Sequence, residues 1–329
     1  MSLESYVTGL MKEPSPKGMD RLVLSGLSQL EKMYFSQVEK KRAAYMAAAV
    51  SAHVPVISVG NITAGGTGKT PCILMLAELF RSIGKKPAII SRGYKSGLEK
   101  EGGCVSDGSS ILVSQQMAGD EPYMMARKLP SVPIFVGKDR IASVKRAEEM
   151  GVGILLLDDG FQYWKLRRDQ DIILIDATNP FGYGHGLPRG LLREPLDALS
   201  RASLFILTKS DQVHLTDLME IREELARLAP GVPVLSSTHA PSKVVPYEKW
   251  KAFLHEGTLE DVRMKKAYLV SGIGNPAAFK KTVKEAGLRP VGEMPFPDHH
   301  RYTEEDLRNA ISEAKAKGAE LIVMTEKMP

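Results

Sequence analysis

The stretch from Val54 to Leu79 constrains this chain most. It reads as a short apolar run (Val54-Pro55-Val56-Ile57-Ser58-Val59), a glycine-dense turn and then an apolar-periodic segment. That order is strand, turn, helix. The turn Thr63-Ala64-Gly65-Gly66-Thr67-Gly68-Lys69-Thr70 follows the phosphate-binding pattern G-x-x-x-x-G-K-[ST], with Thr63 where the pattern has glycine. Glycines let backbone N–H groups converge on phosphate oxygens, and the helix N-terminus behind them adds partial positive charge. In this reading residues 63–70 bind nucleotide phosphate, Lys69 reaches the outer phosphates and the Thr70 hydroxyl sits on Mg²⁺. The bland alternative is a glycine-rich structural turn.

Apolar runs at Pro87–Ser91, Pro133–Val136, Gly153–Leu157, Asp171–Asp176 and Leu204–Thr208 alternate with helical segments at Thr70–Ile83, from Gly119 onward, and at Lys138–Met150. Alternation of this kind predicts parallel strands with helical crossovers, a doubly wound, mostly parallel α/β sheet of the P-loop NTPase type. After the turn at Arg92-Gly93-Tyr94, the segment to about Ser110 is rich in Gly, Ser and Lys and is expected to be a surface loop or hairpin. The loop from Asn179 to Ala198 is long and rich in Gly, Pro and Arg, which marks it as functional or disordered. Composition shifts near His239–Pro246. Residues 1–240 are therefore expected to form a P-loop domain and 241–329 a smaller α/β domain. The smaller domain has strands at Lys266–Ser271, Pro290–Met294 and Glu320–Thr325, and helices at Pro276–Ala286 and Glu304–Lys317.

Residues 1–17 are polar and proline-containing and are expected to be loose. Between Met19 and Ala49, Val23, Leu27, Leu30, Tyr34 and Val38 recur on one helical face, with Lys32, Lys40, Lys41 and Arg42 nearby. Such a helix either packs on its own domain or lies at a membrane surface with its cations at anionic headgroups. The formal charge of +5 over 329 residues favours an anionic partner but is too mild to imply nucleic acid. Two cysteines, Cys72 and Cys104, cannot build a disulfide framework and lack metal-ligand spacing, which points to a reducing, cytoplasmic setting. No stretch reaches the length of an apolar membrane span, and no obligate protein partner is evident.

Phosphoryl transfer needs a phosphate cradle, a metal, an acceptor site and a proton acceptor. Asp158 and Asp159 end an apolar strand, the arrangement that places a hard oxygen ligand beside a P-loop threonine; the alternative is an Asx turn. Asp120 is a candidate general base, or equally a first-turn helix acid. His299 and His300 are candidates to orient it; an aspartate beside two histidines also suggests zinc, but no further spaced ligand accompanies them. Arg92, Arg140, Arg189 and Arg193 are candidates for holding substrate phosphate, or are ordinary surface charges. Thr208-Lys209-Ser210-Asp211 after a strand resembles the guanine-reading N-K-x-D motif, which keeps a GTPase switch as an alternative. A non-catalytic membrane-surface protein is a third reading.

Taken together, V-G-N-I-T-A-G-G-T-G-K-T-P (59–71), S-R-G-Y (91–94), G-D-E-P (119–122), V-G-K-D-R (136–140), D-D-G-F-Q (158–162), L-L-R-E-P (191–195), P-D-H (297–299) and T-E-K (325–327) resemble the tetraacyldisaccharide 4′-kinase family, in that family's order. The family's own loop tolerates threonine at the position of Thr63. The resemblance implies an ATP- and Mg²⁺-dependent kinase that phosphorylates the 4′-hydroxyl of a tetraacyldisaccharide 1-phosphate. The product would be lipid IVA, made at the cytoplasmic face of the bacterial inner membrane. It further implies Asp120 as base with His299 as its partner, Lys69 as a catalytic P-loop lysine, and Thr70, Asp158 and Asp159 around the metal. Arg92, Tyr94, Arg140, Gln162, Arg193 and Glu194 would line the substrate cleft. The N-terminal helix would then be the membrane-associated element. Two departures stand out. Tyr163 replaces the histidine that usually follows D-D-G-F-Q. The family also continues past T-E-K, so with an end at Met328-Pro329 the second domain is expected to be less stable or less active.

Overall fold

In the computed structural model, the described residues are 3–11, 13, 16–238, 240, 241, 243–252, 254, 256–273, 276–297, 300 and 302–325, with side chains from residue 6. His299, Asp298 and residues 326–329, which carry part of the P-D-H and T-E-K segments, lie outside them. Contacts divide the chain into two compact units, Met1–Thr238 and His239–Pro329.

The larger unit begins with helices α1 (Leu3–Met11) and α2 (Met19–Ala47). The first of these is regular structure where a loose segment is expected, and it buries Leu10. Next come β1 (Val56–Gly60), α3 (Lys69–Ser82), β2 (Pro87–Ser91), β3 (Gly103–Asp107), α4 (Gln115–Ala118), α5 (Asp120–Lys128), β4 (Pro133–Val136) and α6 (Arg140–Glu149). They are followed by β5 (Ile154–Asp158), β6 (Gln170–Asp176), β7 (Leu204–Thr208), α7 (Leu215–Leu228) and β8 (Val234–Ser236). The eight strands form one sheet in the order β3-β4-β2-β5-β1-β6-β7-β8. All neighbours are parallel except β3, which runs antiparallel to β4 at the edge. That strand falls in the segment read as loop or hairpin: among its five residues only Val105 is a fully buried aliphatic, too little for an apolar run to show.

The central strands β1, β2 and β5 are buried at every residue. Both faces of the sheet are covered, so these strands read as continuous apolar runs rather than alternating ones. Ile73, Leu76 and Ala77 of α3 and Met125 and Ala126 of α5 pack with Ile57, Val59, Ile89 and Leu156. Val144 and Ala147 of α6 pack with Ala88, Ile90, Leu155 and Leu157, and Ile221 and Leu225 of α7 with Ile173, Ile175, Phe205 and Leu207. Alternate strand residues thus feed opposite layers, the doubly wound arrangement. The fold is that of a P-loop NTPase.

In the smaller unit, α8 (Tyr247–Lys251) precedes β9 (Lys266–Ser271), α9 (Pro276–Glu285), β10 (Arg289–Pro295), α10 (Glu304–Ala316) and β11 (Leu321–Met324). The strands form a parallel sheet, β10-β9-β11. Ala267 and Leu269 of the central strand pack with Val283 of α9, while Tyr268 and Val270 pack with Ala310 and Ala314 of α10. His300 is committed locally. Its Nε2 lies 3.0 Å from Asp306, the acid of the α10 capping box, and its ring stacks on Phe296 at 4.4 Å.

Candidate active site

The sheet order sets the site. β1 lies between β5 and β6, and the pairing Val59↔Asp158 puts the end of β5 beside the exit of β1 into the glycine turn. Carboxyl ends of parallel strands are where open α/β sheets bind ligands. In the turn, Gly65 and Gly68 take φ of 118° and 86°, which an L side chain resists. A Cβ added at Gly65 or Gly66 would meet nothing within 4 Å, so the loop frames open space of the kind a phosphate fills. The Thr67 hydroxyl is buried without a hydrogen-bond partner among the described residues. Lys69 and Thr70 open α3, where the helix dipole favours an anion. Thr63 has no positive φ to satisfy; it forms an antiparallel bridge with Leu192. That pairing accounts for a threonine where the general pattern has glycine.

Several of the predicted cleft residues are joined by direct bonds. Lys69 Nζ donates to Asn61 Oδ1 at 3.2 Å and lies 3.7 Å from Asp159. Arg193 donates to both Asp159 oxygens at 2.8 and 3.2 Å. Asp159 itself sits at φ 48°, in the left-handed region. Burial alone would raise its pKa, but Arg193 and Lys69 outweigh burial and hold it down at about 2. Arg140 is buried and donates to the Asp159 carbonyl at 2.9 Å. Gln162 Nε2 donates to the Asn61 carbonyl at 3.1 Å and to Glu194 at 3.0 Å. Glu194 has zero exposure and is held by Arg201 NH2 through both oxygens at 3.0 and 2.9 Å. A buried carboxylate persists only when paired in this way.

Asp158 is the contrasting acid. Ser91 Oγ donates to its Oδ2 at 2.8 Å, while Oδ1 is buried with no hydrogen-bond partner among the described residues. Burial foremost pushes its pKa up to about 6, with Asp159 and Glu121 adding to the rise. An orphaned carboxylate oxygen at the end of the strand paired with β1 fits a hard cation, which takes oxygen ligands and shares the rest with substrate phosphates. The donor set of Thr70, Asp158 and Asp159 therefore suits Mg²⁺.

Arg92 and Tyr94 lie just past β2, on the same sheet edge. Arg92 is tied to Glu99 at 2.8 Å and lies over the exposed Tyr94 ring. Asp120 is exposed at the first position of α5 and accepts from Gln115 at 3.1 Å. The preceding Gly119 lies against Ser96 and the Tyr94 carbonyl, which places the start of α5 beside that loop. His299 is outside the described residues. The Arg189 guanidinium donates to Ser28 of α2 at 2.6 Å. In the Thr208–Asp211 segment Thr208 is buried and bonded to Ile175, and Lys209 pairs with Asp176. The lysine of that motif is therefore already engaged within the sheet edge.

Four residues of this network escape a reading by sequence spacing: Asn61, Ser91, Glu121 and Arg201. Glu121 is signalled only as the second acid of G-D-E-P, and Asn61 only as a polar residue between strand and glycine turn. Tyr163, the departure from the family pattern, has a clear place. Its hydroxyl accepts the Arg140 backbone N–H at 3.0 Å, and the Arg140 guanidinium carbon lies 5.0 Å from its ring centroid. Tyr163→Phe is expected to cost about 1 kcal/mol, one hydrogen bond. Tyr163→Ala is expected to cost about 2 kcal/mol or more as the cation–π contact and packing go too. Urea melts of the two variants check the order.

A glycine cradle at the end of β1, a lysine and threonine opening the next helix and an aspartate pair on the neighbouring strand together define a P-loop nucleotide-binding protein. The family model described as Tetraacyldisaccharide-1-P 4′-kinase matches residues 21–327. The chain is 38% identical to a tetraacyldisaccharide 4′-kinase of Halothermothrix orenii, over 99% of this chain and 87% of that one. It is 39% identical to one from an Anaeromyxobacter species, over 94% and 82%. A crystal structure of Aquifex aeolicus LpxK in complex with ATP superposes with a TM-score of 0.67 at 30% identity, covering 86% of this chain and 84% of that one. The chain belongs to the tetraacyldisaccharide 4′-kinase family.

Proposed function

We propose that this chain transfers the γ-phosphoryl group of ATP to the 4′-hydroxyl of a tetraacyldisaccharide 1-phosphate, giving lipid IVA in lipid A biosynthesis. Family membership over residues 21–327 supports the activity. The observation that carries the chemistry is the bonded cluster of Lys69, Asn61, Asp159 and Arg193 beside an open glycine cradle. Residues 63–70 would wrap the phosphates, and Lys69 and Arg193 would exchange Asp159 for phosphate oxygens. Thr70, Asp158 and Asp159 would hold Mg²⁺, which neutralises phosphate charge as the bond to ADP breaks. Asp120 would take the proton of the attacking hydroxyl, with His299 as the residue that orients it. Arg92, Tyr94, Arg140, Gln162, Arg193 and Glu194 would line the cleft. Incubation with labelled ATP and the disaccharide precursor tests the reading: a product heavier by one phosphoryl group supports it, and nucleotide hydrolysis without lipid product overturns it. A nucleotide switch would show tight GTP binding and no acceptor.

No helix among the described residues is long and apolar enough to cross a membrane. Peripheral attachment at the cytoplasmic face of the inner membrane is supported by α2. Its inner side carries Leu24, Leu27, Tyr34, Phe35 and Val38, whereas Met19, Leu22, Leu30 and Met33 stand exposed along another side, followed by exposed Lys40 and Lys41. Leu30 therefore leaves the inward face that its spacing predicts. An apolar stripe continued by cations suits an anionic lipid surface. Leu30→Ser with Met33→Ser should lower flotation with anionic liposomes about tenfold or more, since each side chain buries roughly 1.5–3 kcal/mol of apolar surface. Unchanged flotation would remove α2 as the membrane element.

A further inference from the structure

The packed side of α2 does more than anchor the helix. Tyr34 OH donates to the Arg193 carbonyl at 3.0 Å. Arg42 lies 3.7 Å from Glu194 and 4.0 Å from Asp197. Ser28 accepts from Arg189, Glu31 accepts from the Gly186 backbone and faces His185, and Phe35 packs so closely on Gly186 that a Cβ there would lie 2.2 Å from the ring. One helix face thus grips residues 185–194 at five places.

That segment is in turn hydrogen-bonded to the start of the phosphate loop. Ala64 N–H donates to Leu191 at 2.7 Å, Arg193 N–H donates to Ile62 at 2.8 Å, and Thr63 pairs with Leu192. A second route runs through side chains. Arg42 and Arg201 meet at Glu194, Glu194 accepts from Gln162, Gln162 donates to the Asn61 carbonyl, and the Asn61 side chain accepts from Lys69 and, at 3.4 Å, from Arg193. Low exposure along this chain of bonds makes it stiff, because a buried charge released from its partners has no water to replace them.

We infer that Tyr34 and Arg42 are positioning residues for nucleotide: through residues 191–194 and the Glu194–Gln162–Asn61 chain, α2 holds the phosphate loop and Lys69 in their binding geometry. The inference rests on the nucleotide-binding half of the proposed function and adds to it that the seating of α2 and the affinity for ATP are coupled. Coupling of this kind is reciprocal. Nucleotide should tighten α2, and a loosened α2 should weaken nucleotide.

Two measurements test it. In the unmodified protein, Mg²⁺ with mant-ADP should slow amide hydrogen exchange across residues 34–42; no change there overturns the inference. In the double variant Tyr34→Phe, Arg42→Gln, the Kd for mant-ADP and the KM for ATP should each rise about tenfold while kcat changes less than about threefold. Arg42→Lys, which keeps the charge, should recover most of the loss, and Glu39→Gln on the exposed side of α2 should have no effect. Arg201 still pairs with Glu194, so the double variant is expected to fold. If it does not, Tyr34→Phe alone, with one hydroxyl removed, should still raise Kd about two- to threefold. Unchanged Kd in a folded variant overturns the inference. A Kd that shifts as expected in a protein that makes no lipid product overturns the proposed substrate and leaves the coupling standing.

Discussion

Asp120→Ala is expected to lower kcat by about 10²–10⁴-fold, the usual contribution of a positioned general base, while the Kd for ATP stays within about twofold. Asp120 is exposed at the start of α5 and outside the phosphate loop, so its loss leaves the nucleotide contacts in place. The helix keeps Glu121 in its first turn, so an acid remains at the α5 N-terminus in the variant. His299→Ala should cost less rate than Asp120→Ala, because a partner that orients the base contributes less than the base. Single-turnover measurement with saturating ATP separates chemistry from binding. Normal turnover of the lipid by Asp120→Ala would end its assignment as base.

Lys69→Ala is expected to cost about 10²–10³-fold in kcat, the scale seen when one preorganised donor to developing charge is removed. The physical basis is already visible without nucleotide. Lys69 is aimed by Asn61 at 3.2 Å and sits beside Asp159 at 3.7 Å, so its ammonium is held at the cradle before any phosphate arrives. Asp159 would still be paired with Arg193 in that variant, which keeps the site from collapsing around a bare carboxylate. Nucleotide affinity should fall as well, because the lysine contacts phosphate in the ground state and in the transition state alike. Steady-state kinetics with ATP varied, together with mant-ADP titration, give both numbers. A variant that kept its kcat would exclude Lys69 from the reaction.

Much of the larger unit was legible because its signals are local. The β1–glycine turn–α3 unit shows in a stretch of fewer than thirty residues, since strand, positive-φ glycines and helix start each leave a mark on their own sequence neighbourhood. The buried runs at β2, β4, β5, β6 and β7 showed for the same reason: strands covered on both faces are apolar throughout. Edge strand β3 did not, because one face and one edge ask little of its side chains. Strand β8 leaves as weak a mark, with three half-exposed or exposed residues at the other edge of the sheet. On α2 the periodicity was clear but the inward face was displaced: Leu30 stands half exposed while Leu24 and Phe35 face inward. A helix that is apolar on two sides cannot declare by spacing alone which side its own domain takes.

The amino-acid sequence by itself determined the alternation of buried strands with helical crossovers, the cradle for phosphate and the acids at the end of β5, because hydrogen bonding along the backbone and the periods of strand and helix act between near neighbours. Only the tertiary structure decided how the charges pair. Asp159 is low and Asp158 high in pKa although they adjoin in sequence, since Arg193 and Lys69 reach one and burial takes the other. Arg42 and Glu194 meet across 152 positions, Tyr34 and Arg193 across 159. A Coulomb interaction depends on distance in space and on the water excluded between the groups, and neither quantity exists until the chain has closed on itself.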